Sequence, residues 1–171
     1  MSAQRESMIV PGLLDERPTR HAMLERLEEL HGTWVASGDY FDGQQVYPDR
    51  KSVHTYEWTC AGQVLVWRIL SHGPLKFYQS HCALVWSAER EVYRASYYDS
   101  LGTADGLSAS WVDARTLEMQ FDTGFAFLGP AIKRLRNVIT RHDDGTQLWR
   151  LQADRGTGWE SIITQNAYRL F

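Results

Sequence analysis

Four histidines lie in or beside strand-like stretches of this 171-residue chain, His54, His72, His81 and His142, and from them metal or acid–base chemistry would first be expected. Their spacing argues against a metal, because none has another His, Cys or carboxylate at ligand spacing. The adjacent pair His81 and Cys82 points to opposite faces of a strand. The sequence contains no nucleophile elbow, no Ser/His/Asp order and no glycine-rich phosphate loop. Acid–base chemistry has three candidates, Tyr97, His54 and Asp99. A phenol or imidazole can polarise a carbonyl or carry a proton. Asp99 shares the strand phase of Tyr97, and burial would raise its pKa into a useful range. The cluster of Lys133, Arg134 and Arg136 reads as a solvated strand face.

These groups must be positioned by strands, since alternation is the dominant pattern. Lys51 to Cys60 sets His54, Tyr56, Trp58 and Cys60 on one face. Gln63 to Ser71 sets Leu65, Trp67 and Ile69 opposite Arg68. Glu91 to Ser100 carries Tyr93, Ala95 and Tyr97 together, and Arg115 to Asp122 alternates Leu117, Met119 and Phe121 with Glu118, Gln120 and Asp122. Trp149, Leu151 and Ala153 share a face, as do Ile162, Thr164, Asn166 and Tyr168. The phase is open in residues 75–87 and 132–141. Asp39 to Asp49, with Asp42-Gly43 and Tyr47-Pro48, reads as a long connection suited to cover a barrel mouth. Thr123 to Pro130, apolar and flanked by glycine, is expected to tuck into an opening.

About ten strands joined by short turns make a meander, and closing it removes the edges that invite aggregation. The expected fold class is therefore all-β, a closed antiparallel up-and-down β-barrel of about ten strands with one short N-terminal helix. Thr19 is the expected N-cap of that helix, which runs from Arg20 to about Leu30. Gly32 stands at the junction into the first strand, where positive φ or close packing is needed. Residues 1–18 form an arm, weakly ordered or a contact for a partner, and residues 19–171 one domain, with a homodimer left open. A net charge of −3, from 18 basic and 21 acidic residues, offers no field for nucleic acid, and no apolar run is long enough for a membrane span. Two cysteines, Cys60 and Cys82, are too few for a disulfide framework, and with no leader pattern the expected compartment is the cytoplasm.

The run Leu30-His31-Gly32-Thr33-Trp34 after a helix, the motif Tyr93-Arg94-Ala95-Ser96-Tyr97-Tyr98-Asp99 followed by Gly102, and Gly158-Trp159-Glu160 leading to Tyr168-Arg169 resemble the lipocalin-like, calycin-type bacterial barrels. The resemblance spans about residues 20–170. Gly32 to Gly38 is also similar to the nitrobindins, haem-binding barrels of that broad superfamily. Here Asp39-Tyr40-Phe41 replaces their glycine-rich continuation, and their axial histidine has no counterpart. Barrels of this class serve as carriers and as cyclases or isomerases, so the resemblance implies a cavity without choosing its use. The inward phases put Tyr56, Trp58, Trp67, Tyr93, Tyr97, Met119 and Trp149 on the ligand-facing side, a lining suited to an apolar or aromatic small molecule. The first expectation is binding of such a molecule, the second a cofactor-free cyclase or isomerase acting on it, and the third haem. No metal or other cofactor is expected.

Overall fold

The computed structural model describes residues 19–42, 44–73, 76–122 and 131–170. Among them ten strands follow in chain order: β1 (Gly32–Phe41), β2 (Val46–Thr59), β3 (Val64–Gly73), β4 (Lys76–Ser87), β5 (Val92–Asp99), β6 (Ala104–Trp111), β7 (Thr116–Phe121), β8 (Arg134–Arg141), β9 (Gln147–Asp154) and β10 (Trp159–Arg169). Each pairs antiparallel with its neighbours in sequence, and β1 pairs with β10, closing the all-β barrel that alternation predicts. The seam needs Gly38. A Cβ there would lie 2.0 Å from the Thr164 carbonyl oxygen and 2.8 Å from Gln165 Cα, so only a residue without a side chain lets the first and last strands meet. Gly32 enters β1 at φ 114°, the positive value expected of that junction.

One end of the barrel is closed by the helical segment, which differs from its expected form. An α-helical turn, α1 (Ala22–Glu25), passes into a 3₁₀ turn at Arg26–Leu30. The cap is His21, whose Nδ1 accepts from the Met23 N–H at 3.2 Å, in place of Thr19. The spacing explains the tighter winding: Leu24, Leu27 and Leu30 recur every third residue, and three residues per turn stacks them on one line. All three are buried, each contributing about 1.5–3 kcal/mol of apolar burial. Hydrogen bonds tie the plug to the barrel, and another braces one of them from within the barrel. Trp34 Nε1–H donates to the Leu30 carbonyl at 2.8 Å, the Tyr93 hydroxyl donates to the Met23 carbonyl at 2.5 Å, and Trp111 Nε1–H donates to the Tyr93 hydroxyl at 3.2 Å.

Two further expectations about local structure are corrected. Asp39 to Asp49 is mostly strand with a short hairpin connection, not a long loop: Tyr40 pairs with Tyr47 and Phe41 with Val46, while Asp42 Oδ1 accepts from the Gln44 and Gln45 amides. In β10 a register shift between Ser161 and Ile163 buries Ile162 and Ile163 together, after which Gln165 and Ala167 face inward. Asn166 and Tyr168 thus lie outside, because one bulged residue reverses the phase beyond it. The open phases resolve with Ser80, Cys82 and Leu84 inward in β4 and Leu135, Asn137 and Ile139 inward in β8. Glu57, Arg68 and Gln120 are exposed, and Glu118 is partly so and pairs with Arg136 at 2.7 Å. The 1–18 arm and the Thr123 to Pro130 loop lie outside the described residues.

Candidate functional site

Alternation fills the barrel with side chains from every strand, but the filling is uneven. Toward the plug the interior is solid with Leu65, Leu84, Leu107 and Leu117, all at most 1% exposed. Across its middle Trp67 stacks on Tyr56 with centroids 5.5 Å apart, and His54 and Trp149 meet edge to face at 5.1 Å. At the far end, between the last residues of β1, β3, β5 and β7 and the first of β2, β4, β8 and β10, a cavity remains. Its wall is chiefly apolar, from Ile69, Phe121, Leu135, Trp149, Leu151, Ile162 and Ile163, and is bordered by Tyr40, Arg50, Ser52, Ser71, Tyr78, Tyr97, Asn137 and Gln165. Water centres can range over about 60 Å³. One water needs roughly 10–15 Å³ measured this way, so the space suits about four to six waters or a single ring with a small substituent.

A polar chain runs beneath the wall. Gln165 Nε2–H donates to the Arg50 carbonyl at 3.0 Å, which turns its Oε1 toward Ser52, whose hydroxyl donates to it at 2.8 Å. The Ser52 hydroxyl has one hydrogen, so at its 2.8 Å contact with His54 it must accept, and His54 carries its proton on Nε2. Burial, and then the positive charge of Arg50, hold the His54 imidazole down to about 3, so it is neutral across the physiological range. Arg50 is itself only 7% exposed. Its Nε–H donates to the Ser71 hydroxyl at 2.9 Å, and its guanidinium carbon lies 5.5 Å from the centre of the Tyr40 ring. Among the described residues no carboxylate pairs with it, and its terminal nitrogens have no hydrogen-bond partner. Burial lowers its pKa, an effect opposed by the Tyr78 and Tyr40 phenols.

At the edge of the cavity Tyr78 and Tyr97 share a hydrogen bond between their hydroxyls. Asp99 Oδ2 lies 3.2 Å from the Tyr97 hydroxyl and 3.5 Å from that of Tyr78. Burial pushes both phenols up, Tyr78 to about 12, so both are neutral hydrogen-bond donors at ordinary pH. Asp99 Oδ1 is committed elsewhere: it accepts from the Leu101 and Thr103 amides, each at 2.9 Å, and shapes the turn after β5.

The residues expected to face a ligand therefore fall into separate environments. Tyr97 and Trp149 border the cavity. Tyr56, Trp67 and Met119 are packed in the filled interior, each at most 2% exposed. Tyr93, on β5, holds the plug through the Met23 carbonyl. Trp58 lies at the rim, under the Arg20 guanidinium at 4.0 Å, with its Nε1–H donating to Glu28 at 2.7 Å. Of the acid–base candidates, Tyr97 and Asp99 are adjacent, whereas His54 lies behind Ser52 and off the wall. Sequence reasoning missed Arg50, Ser71 and Tyr78. The signal for Arg50 was present, since it shares the every-second-residue phase of Ser52, His54 and Tyr56, but Pro48 suggested a loop there.

Among the described residues no group of three or more His, Cys, Asp or Glu side chains is placed to hold a metal, and no helix is long and apolar enough to cross a membrane. No family model matches the chain, and no curated protein does. Among solved structures the barrel is similar to the crystal structure of Rv2717c from M. tuberculosis, with a TM-score of 0.66 at 13% identity over 90% of this chain and 100% of that one, a likeness of fold.

Proposed function

We propose that the chain is a small-molecule-binding barrel of the calycin type that takes an apolar or aromatic molecule into the cavity at the end away from the plug. The observation that carries this reading is the uneven filling: apolar side chains pack one end solid and leave a mostly apolar space at the other, bordered by oriented polar groups. Such a space gains from an apolar guest, and the Tyr97 phenol at its edge can fix the guest's orientation. The test is titration of the purified protein with neutral single-ring aromatics, followed by tryptophan fluorescence from Trp149 and by native mass spectrometry. The expected result is saturable one-to-one binding, lost in Ile162→Phe, which fills the space. Absence of saturable binding in the native chain would overturn the reading.

A second reading, a cofactor-free cyclase or isomerase, is supported by the Tyr78–Tyr97–Asp99 cluster. A phenol that turns its hydrogen from Asp99 to a carbonyl held in the cavity can polarise it, and orientation of a flexible substrate supplies the remaining rate. Turnover of a bound metabolite, lost in Tyr97→Phe while binding persists, is its expected signature. Haem does not fit the residues present, since no histidine borders the cavity and His54 Nε2 is taken by Ser52.

A further inference from the structure

The cavity carries one feature that a purely apolar guest would leave unused. Arg50 brings a full positive charge to the wall of a chiefly apolar space, nine-tenths buried, with only its Nε committed, to Ser71 at 2.9 Å. The ion pairs formed among the described residues use Arg20, Arg68, Arg94, Arg115, Arg134, Arg136, Arg141 and Arg155, and each of these has a carboxylate. Arg50 has none. A buried charge without a counter-ion is strongly disfavoured, so such groups are normally paired. The guanidinium presents its donors in a planar fork that matches the two oxygens of a carboxylate. Ser71 and the Tyr40 ring hold that fork from two sides, and the Tyr78 and Tyr97 phenols, which share their hydrogens with each other and with Asp99, border the same wall. Among the described residues no acidic side chain lines the cavity itself, and the Asp99 carboxylate stands behind the Tyr78 and Tyr97 hydroxyls.

We infer that the molecule bound in this cavity is a small monocarboxylic acid, its carboxylate forked on Arg50 and its apolar or aromatic body against Trp149, Phe121 and Leu135. The assignment rests on the small-molecule reading above and narrows it from apolar compounds at large to organic acids about the size of a substituted benzoate. It is tested by fluorine NMR titration of the full chain with 4-fluorobenzoate and 4-fluorobenzamide, which differ in charge and hardly in shape. The expected result is at least tenfold tighter binding of the benzoate, with that preference lost in Arg50→Met and reduced several-fold in Ser71→Ala. Equal affinities, or a preference for the amide, would overturn the carboxylate assignment while leaving a binding cavity standing. Failure of both probes to bind would remove the cavity reading and this inference together. The comparison of the two probes on the unmodified chain decides the matter even where Arg50→Met does not fold.

Discussion

Replacing His54 by glutamine should flatten the response of stability to acid. In the native chain the imidazole is 2% exposed and held down to about 3, chiefly by burial and secondly by Arg50, against an ordinary 6.5 in the unfolded chain. The native pKa is the lower one, so between these values the unfolded chain binds the proton and the folded chain does not. The stability that this group contributes is complete above pH 6.5 and is lost as pH falls below it, down to about 3. Each pH unit in that window corresponds to about 1.4 kcal/mol. Going from pH 7 to pH 5 therefore costs about 2 kcal/mol through this one residue. His54→Gln keeps an N–H to offer Ser52 but cannot take up the proton. Urea unfolding of both proteins at the two pH values isolates the effect, because every other titrating group is common to both. The native chain should lose about 2 kcal/mol more than the variant. Equal losses would refute the reasoning and show that water or a relaxed side chain lets His54 protonate inside the barrel.

Two further outcomes are expected. Gly38→Ala should destabilise by about 1–3 kcal/mol or more, since the new methyl meets backbone atoms of Thr164 and Gln165 that cannot swing aside. An unchanged urea midpoint would show that the seam has slack. Of the two thiols, exposed Cys60 should react at once with Ellman's reagent, whereas buried Cys82, pushed up to about 12, should react only on unfolding. Two thiols titrated in the native protein would contradict the inward placement of β4.

Where one residue in two is apolar over a whole strand, the chain can be read directly. Leu117, Met119 and Phe121 in β7, and Tyr93, Ala95 and Tyr97 in β5, face inward as alternation requires. What escapes is whatever depends on a single inserted residue or on position along the barrel axis. The bulge at Ile162 reverses β10 beyond it, and both phases offered apolar side chains, so composition could not choose. Trp58 has the phase of Tyr56 but stands one step nearer the strand end, which places it at the rim. The cavity was the least legible part. It lies where small and polar inward residues, Ser52, Ser71 and Asn137, coincide across strands far apart in the chain, and no local pattern reports such a coincidence. Arg50 shows the cost of reading Pro48 as a loop signal: proline is tolerated within β2 beside the register shift opposite Gly38 and Tyr40.

The closing seam also sets the order in which the chain can fold. Every strand pairing but β1 with β10 joins neighbours in sequence, so each hairpin closes a short loop and can form early. The seam pairs Trp34 with Arg169 across nearly the whole domain. Compared with a hairpin turn, its loop is longer by about five doublings, an added entropic cost of about 3 kcal/mol. That cost is offset only once the rest of the meander is in place to curve the two edges toward each other. Until then β1 and the most recently formed strand are both unpaired edges, and the register that joins them within one chain is equally available between two.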